Sequence, residues 1–319
     1  MDSDGFATHS RDVNGFTLRE AMRCGVIETD WFRMKAMGEV EELLKTPRVH
    51  FLYLHHVFPD EIDNFRATLA HVQRTHEMVT YSRAVELVLS GQVTRPTACV
   101  SFDDGLSTIL PASRVMDELG IKGCFFVCPA IVGERDREQV RRFAETRLHY
   151  PPMDVLGWAE IEEMASRGHE IGSHTYSHPN MGEVSLEQAI DELQYSRDEL
   201  RLRLGGVKHF AWPSGRWDNF SARAGKAVFD LGYESCASAI RGCHMPRPFA
   251  VDRRDVCLRR EHIMGCWPLR HNLYFMARSV RRVGPKDYQW PPKWQRIVKQ
   301  ESTVPGEDGG VPGEAMALA

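Results

Sequence analysis

Two groups of residues in this 319-residue chain have the types and spacing to do chemistry. The first is Asp103-Asp104-Gly105, set at the end of the apolar run Thr97-Ala98-Cys99-Val100-Ser101-Phe102. Side chains on a strand alternate in direction, but a glycine after the strand end lets the backbone turn and bring both carboxylates to one opening. Two adjacent carboxylates do not share one environment without cost, so one calls for neutralisation by a proton or a metal ion. The second group is His174-Thr175-Tyr176-Ser177-His178, whose imidazoles stand four apart, a spacing that places both on one side of a helical turn. Read alone, Asp-Asp-Gly also suits a type I turn or a helix N-cap, and the histidines also suit capping or packed positions. Taken together they offer two neutral imidazoles and a carboxylate. That is a three-ligand divalent site with an open position, the logic of a catalytic rather than a structural metal.

The elements that must position these groups alternate between strand and helix. Strands are predicted at 49–54, 97–102, 123–128, 169–173, 209–212 and 233–236, with a further one near Val256-Cys257-Leu258. Helical periodicity falls at 61–76, 81–89, 106–119, 158–167, 186–204 and 221–231. Short connections between such elements are the signature of a parallel α/β fold, in which reactive residues collect where strands end. Three strand ends carry polar groups: Asp103-Asp104, His174 with His178, and Trp212-Pro213-Ser214-Gly215.

Composition, 42% hydrophobic and 26% charged, suits a globular protein, and a formal net charge of -4 gives no whole-chain case for nucleic acid. Eight cysteines without a Cys-x-x-Cys pair read as reduced thiols rather than a disulfide scaffold. The polar start Met1-Asp2-Ser3-Asp4-Gly5 has no apolar stretch behind it, so the expected compartment is the cytoplasm. The division expected is a helical extension over 1–47, a catalytic domain over 48–283 and a largely disordered tail over 284–319. The basic, roughly amphipathic stretch 269–283 suggests peripheral contact with an anionic membrane.

Ser101-Phe102-Asp103-Asp104-Gly105 resembles the first motif of the NodB-homology polysaccharide deacetylases, carbohydrate esterase family 4, and His174-Thr175-Tyr176-Ser177-His178 resembles their second. The resemblance runs from about Val49 to Ile263 and takes in Gly168-His169-Glu170-Ile171-Gly172-Ser173. It implies a deformed (β/α) barrel and a metal-dependent hydrolase that removes an N-acetyl group from a sugar or glycoconjugate. Asp103 would be the general base, and Asp104, His174 and His178 the ligands of a divalent ion, most often Zn2+. The backbone amide of Ser214, in Phe210-Ala211-Trp212-Pro213-Ser214-Gly215, would help hold the oxyanion. This segment lacks the arginine that the family carries ahead of the proline, and Arg216 offers itself as a substitute that orients Asp103. Ser235-Cys236-Ala237 lacks the family's tryptophan, and His262, in Leu258-Arg259-Arg260-Glu261-His262, stands where the general acid is expected. His55 or His56 would line the cleft. The alternatives are an O-acetyl esterase, a deformylase on a related sugar, or a sugar-binding member without activity.

Overall fold

The computed structural model describes residues 1–15 and 17–300. Eight parallel strands form one sheet: β1 Arg48–Leu54, β2 Glu77–Met78, β3 Pro96–Phe102, β4 Cys124–Val127, β5 Glu170–Ser173, β6 His209–Ala211, β7 Ser235–Ala237 and β8 Glu261–His262. Their order is β7-β6-β5-β4-β3-β1-β8, with β2 also beside β3. The last stretch curls the sheet back on itself. Leu258 bridges to Ala237 at the β7 edge, and β8 pairs with β1 in the register Leu52–Glu261 and Tyr53–His262. This is the deformed (β/α) barrel expected from the sequence.

Because strand side chains alternate, each strand contributes one row to the barrel interior and one to the surrounding helices. Val49 and Phe51 of β1, Cys99 of β3, Phe126 of β4 and Leu258 pack inside. Leu52 and Leu54 of β1, and Ala98, Val100 and Phe102 of β3, face outward onto helices Ile62–Thr75 and Ile109–Glu118. Asp103 continues the inward row of Cys99 and Ser101, and Arg260 and His262 continue the row of Leu258. The periodicity that builds the core therefore also aims these polar groups at the barrel's mouth.

Three parts of the chain lie outside the barrel's strands and their covering helices. The N-terminal segment holds helices Ser10–Val13, Leu18–Ala36 and Glu39–Lys45, the last two separated at Gly38, whose φ of 72° suits glycine. Ile27, Trp31, Met34, Val40 and Leu44 join the main core, so this extension is packed on the barrel. Helix Leu269–Arg282 turns its apolar face inward: Leu273, Tyr274, Met276, Ala277 and Val280 are buried, against the same N-terminal helices. The membrane contact suggested for 269–283 therefore has no apolar face left to make it. Residues 284–300 are not a disordered tail either. Helix Pro292–Val298 follows Trp290, which is 1% exposed and stacks on Trp212 and Phe220. Residues 301–319, also assigned to that tail, lie outside the described residues. Among the described residues all eight cysteines are free thiols, and no helix is long and apolar enough to cross a membrane.

Candidate active site

A cleft of about 850 Å³ opens at the C-terminal ends of the strands. Asp103 and Asp104 reach it from the end of β3, His174 and His178 from the end of β5, Ser214 and Arg216 from the loop after β6, Arg260 from the position just before β8 and His262 from β8 itself. Apart from His56, every residue proposed for the site from sequence lines this one cleft.

The two aspartates, adjacent in sequence, have been given separate environments. Asp103 lies in phase with the inward row, whereas Asp104 is out of phase and is brought round by a left-handed backbone, φ 75°. Its Oδ1 sits 3.4 Å from Nε2 of His174 and 3.4 Å from Nε2 of His178, and all three residues are buried. This Oδ1 makes no hydrogen bond, and the three ligand atoms lie within 4.8 Å of one another.

Both imidazoles are oriented from behind. His174 Nδ1 is 2.7 Å from the Ala211 carbonyl, and His178 Nδ1 is 3.0 Å from that of Arg147. A carbonyl only accepts, so each Nδ1 carries the proton and each Nε2 presents a lone pair to the shared centre. A buried carboxylate oxygen without a partner and two bare imidazole nitrogens aimed at it are the donor set of a divalent transition-metal ion. The residues present fit such an ion. Burial works to raise the pKa of Asp104, but the facing imidazoles outweigh it and hold the carboxyl well below its ordinary range.

Asp103 is gripped by Arg260. The guanidinium donates from Nη1 to Oδ1 and from Nη2 to Oδ2, each at 2.8 Å, and from Nε to the Ser238 carbonyl at 2.8 Å. It also stacks over Tyr53, 4.4 Å from the ring centre. Desolvation again pushes Asp103 upward, yet the arginine's charge prevails and keeps its pKa below the usual carboxylate value. Arg216, expected from sequence to orient Asp103, does not do so. It is exposed, and its carbonyl accepts the Trp212 indole N–H at 3.1 Å. Arg260 was the missed residue, although the signal was present: in an extended strand it shares a side with His262, two positions on.

The remaining walls combine strain with aromatic packing. Among the described residues five non-glycine residues have positive φ, namely Asp104, His149, Thr175, His178 and Ser214. Four of them line the cleft and Thr175 lies between its two histidines. Such conformations cost on the order of 1–3 kcal/mol each, and their confinement to one opening marks a functional site. Ser214 (φ 60°) makes no backbone amide hydrogen bond among the described residues. Its neighbour Gly215 (φ 63°) lies so close to the Ala239 backbone that an added Cβ would come within 2.3 Å of its nitrogen. His262 packs against the rings of Tyr53 (4.8 Å) and His55 (5.4 Å), with no carboxylate against it among the described residues. Burial, then the nearby His55 and Arg241, hold its pKa well below the ordinary imidazole value. Of the two histidines after β1, His55 lines the cleft and His56 packs away from it beside Phe58 and Glu61. Residues 144–150 form a π-helical turn at Ala144–Leu148 and supply the wall that ends in Tyr150.

Comparison with known proteins places this cleft in context. The polysaccharide deacetylase family model matches residues 90–235. A 74-residue stretch is 32% identical to the uncharacterized protein YlxY of Bacillus subtilis, covering 23% of this chain and 21% of that protein. The structure resembles the Streptococcus pyogenes deacetylase PplD in complex with acetate (TM-score 0.56, 17% identity, 72% of this chain and 99% of that one). It also resembles IcaB from Ammonifex degensii (TM-score 0.55, 18% identity, 72% and 98%). The polysaccharide deacetylase BC0361 from Bacillus cereus gives a TM-score of 0.56 at 18% identity, over 73% and 69% of the two chains. At these identities the likeness to solved structures is one of fold.

Proposed function

From the premise that this chain belongs to the polysaccharide deacetylase family over residues 90–235, we propose that it is a metal-dependent carbohydrate deacetylase acting on an N-acetylated sugar or glycoconjugate. The observation that carries this reading is the convergence of the Asp104, His174 and His178 ligand atoms beside an ionised, buried Asp103. A divalent ion held by those three residues would acidify water and polarise the acetamide carbonyl.

The chain's own groups divide the remaining work. Asp103, fixed in direction by Arg260, accepts a proton from the attacking water. Because Arg260 lowers its proton affinity, Asp103 is a weak base and acts only on water already made acidic. The Ser214 amide, which makes no hydrogen bond among the described residues and sits on a loop lining the cleft, is the donor for the developing oxyanion. His262 delivers a proton to the departing nitrogen. Its surroundings keep it neutral at rest, so it must gain that proton within the catalytic cycle.

One observation favours a second reading. Among the described residues no carboxylate stands behind His262, and an ester's alkoxide needs a proton donor less than an amide's nitrogen does. That would suit O-deacetylation. Acetate release by the metal-loaded chain from matched N-acetyl and O-acetyl sugars separates the two. Release from neither would overturn the assignment.

A further inference from the structure

The charge balance of the cleft says more about what enters it. Three acids line it, Asp103, Asp104 and Glu183, against three arginines, Arg147, Arg216 and Arg260. Asp103 and Arg260 cancel in their bidentate pair. With a divalent ion on Asp104 the lining charges sum to two positive in excess, one from the ion and one from the arginines. Arg147 and Arg216 form no ion pair with any described residue, so neither guanidinium charge is committed to the fold.

Both arginines also spring from backbone fixed relative to the reaction centre. The Arg147 carbonyl accepts the Nδ1–H of the metal-site residue His178 at 3.0 Å, within the π-turn Ala144–Leu148. The Arg216 carbonyl accepts from the Trp212 indole and from the Asn219 amide, each at 3.1 Å, just beyond the Ser214 loop. Arg216 also lies near enough to Tyr53 for its charge to oppose the burial that raises the phenol's pKa. Arg147 and Arg216 thus line one cleft from two different loops.

Resting on the deacetylase reading, we infer that this cleft takes an acetamido sugar bearing a phosphate, as a monoester or in a pyrophosphate link, and that Arg147 and Arg216 are its ligands. Guanidinium groups match phosphate oxygens in geometry and stay charged at every working pH. A neutral glycan gives two unneutralised charges nothing to pair with. A single carboxylate neutralises only half of the excess, whereas a phosphate dianion or pyrophosphate meets all of it. A cleft of this sign would also draw such a substrate in faster, with a steep dependence on salt.

The test has a binding arm and a turnover arm. In the first, calorimetry compares glucosamine 1-phosphate with glucosamine on the metal-loaded wild-type chain, neither of which has an acetyl group to lose. The phosphorylated sugar is expected to bind about a hundredfold more tightly, at roughly tenfold per charge-assisted arginine contact. The Arg147→Gln/Arg216→Gln variant, its folding checked by melting and metal content, should lose that advantage. In the second arm, N-acetylglucosamine 1-phosphate and a nucleoside-diphosphate-linked N-acetylglucosamine are compared with a neutral chitin oligomer, which tells monoester from pyrophosphate. Equal affinity for charged and neutral sugars, an advantage that survives in the double variant, or tighter binding of a carboxylate-bearing amino sugar would each overturn the inference. Absence of acetate release from every substrate would instead sink the deacetylase reading, and the binding arm would still report on the arginines.

Discussion

Arg260 and Asp103, 157 positions apart in the chain, form a two-bonded ion pair from which water is almost wholly excluded. The pairing has two consequences that pull apart experimentally. It supplies the base with a fixed direction, and it leaves each partner dependent on the other for burial. Asp103→Asn should lower kcat by about 10²–10⁴ while metal stays bound. It should also destabilise the fold by about 3–5 kcal/mol, because the guanidinium is left buried without its counter-charge. Kinetics, metal analysis and denaturant melts on one preparation check all three. Wild-type kcat in Asp103→Asn would remove it as the base.

Metal affinity should be linked to protons. The Asp103 and Asp104 charges outweigh burial and raise the His174 pKa above its ordinary value, and a protonated imidazole cannot ligate. Binding should therefore be strong at pH 8 and weaken progressively as pH falls through neutrality toward 6. Competition with a chromophoric chelator measures this directly. His174→Ala should abolish high-affinity binding at every pH, and a variant that retained stoichiometric metal would contradict the ligand assignment.

The loop that carries Ser214 offers a geometric prediction. Any side chain at Gly215 meets the Ala239 backbone, so Gly215→Ala must push the loop outward and move the Ser214 amide with it. The expected result is a fall in kcat of about 10²-fold or more, the scale of losing one oxyanion donor, with KM little changed. A rise in KM with kcat unchanged would instead point to weakened substrate binding.

At the opposite end of the barrel, Glu170 accepts from the Ser82 amide at 3.0 Å and lies 3.3 Å from His209 Nε2. Burial favours its neutral form, but His209 and Ser82 prevail and bring its pKa down to about 2. A carboxyl depressed in the folded state contributes stability that is complete above its unfolded pKa, near 4.5, and is lost as pH falls toward 2. The contribution is at most about 3 kcal/mol. Glu170→Gln should therefore flatten the pH dependence of unfolding between about 5 and 2, a change that urea melts across that range would reveal.

His262→Asn should slow turnover of an N-acetyl substrate by about 10²-fold and leave metal content intact. A loss confined to His55→Asn would move the proton-donor role to that neighbour, whose ring centre is 5.4 Å away.

Much of this site was legible in the sequence because strand periodicity and strand ends are local signals. Asp103, Asp104, His174 and His178 could be placed from the runs that deliver them, and the alternation of elements gave the barrel. Arg260 was misassigned to Arg216 for a different reason. Proximity in sequence suggested the loop beside Ser214, whereas the barrel's closure brings β8 next to β1 and β3's mouth, a relation visible only in three dimensions. Residues 284–300 were misjudged because Pro, Gly and polar residues dominate them, although Trp290 and Val298 anchor the segment in the core. The apolar face of 269–283 was visible, but not the helices that cover it.

The strand that delivers Arg260 is only two residues long. It is fastened to β1 on one side, and its buried Glu261 is held by Arg241 and by Ser279 of the helix Leu269–Arg282. Detachment of this one stave would free the guanidinium from Asp103 while the other strands stayed paired. Activity would then report the integrity of a single seam: rising denaturant would extinguish turnover before the circular dichroism of the sheet changed, and amide exchange along 258–263 would run ahead of exchange in β3.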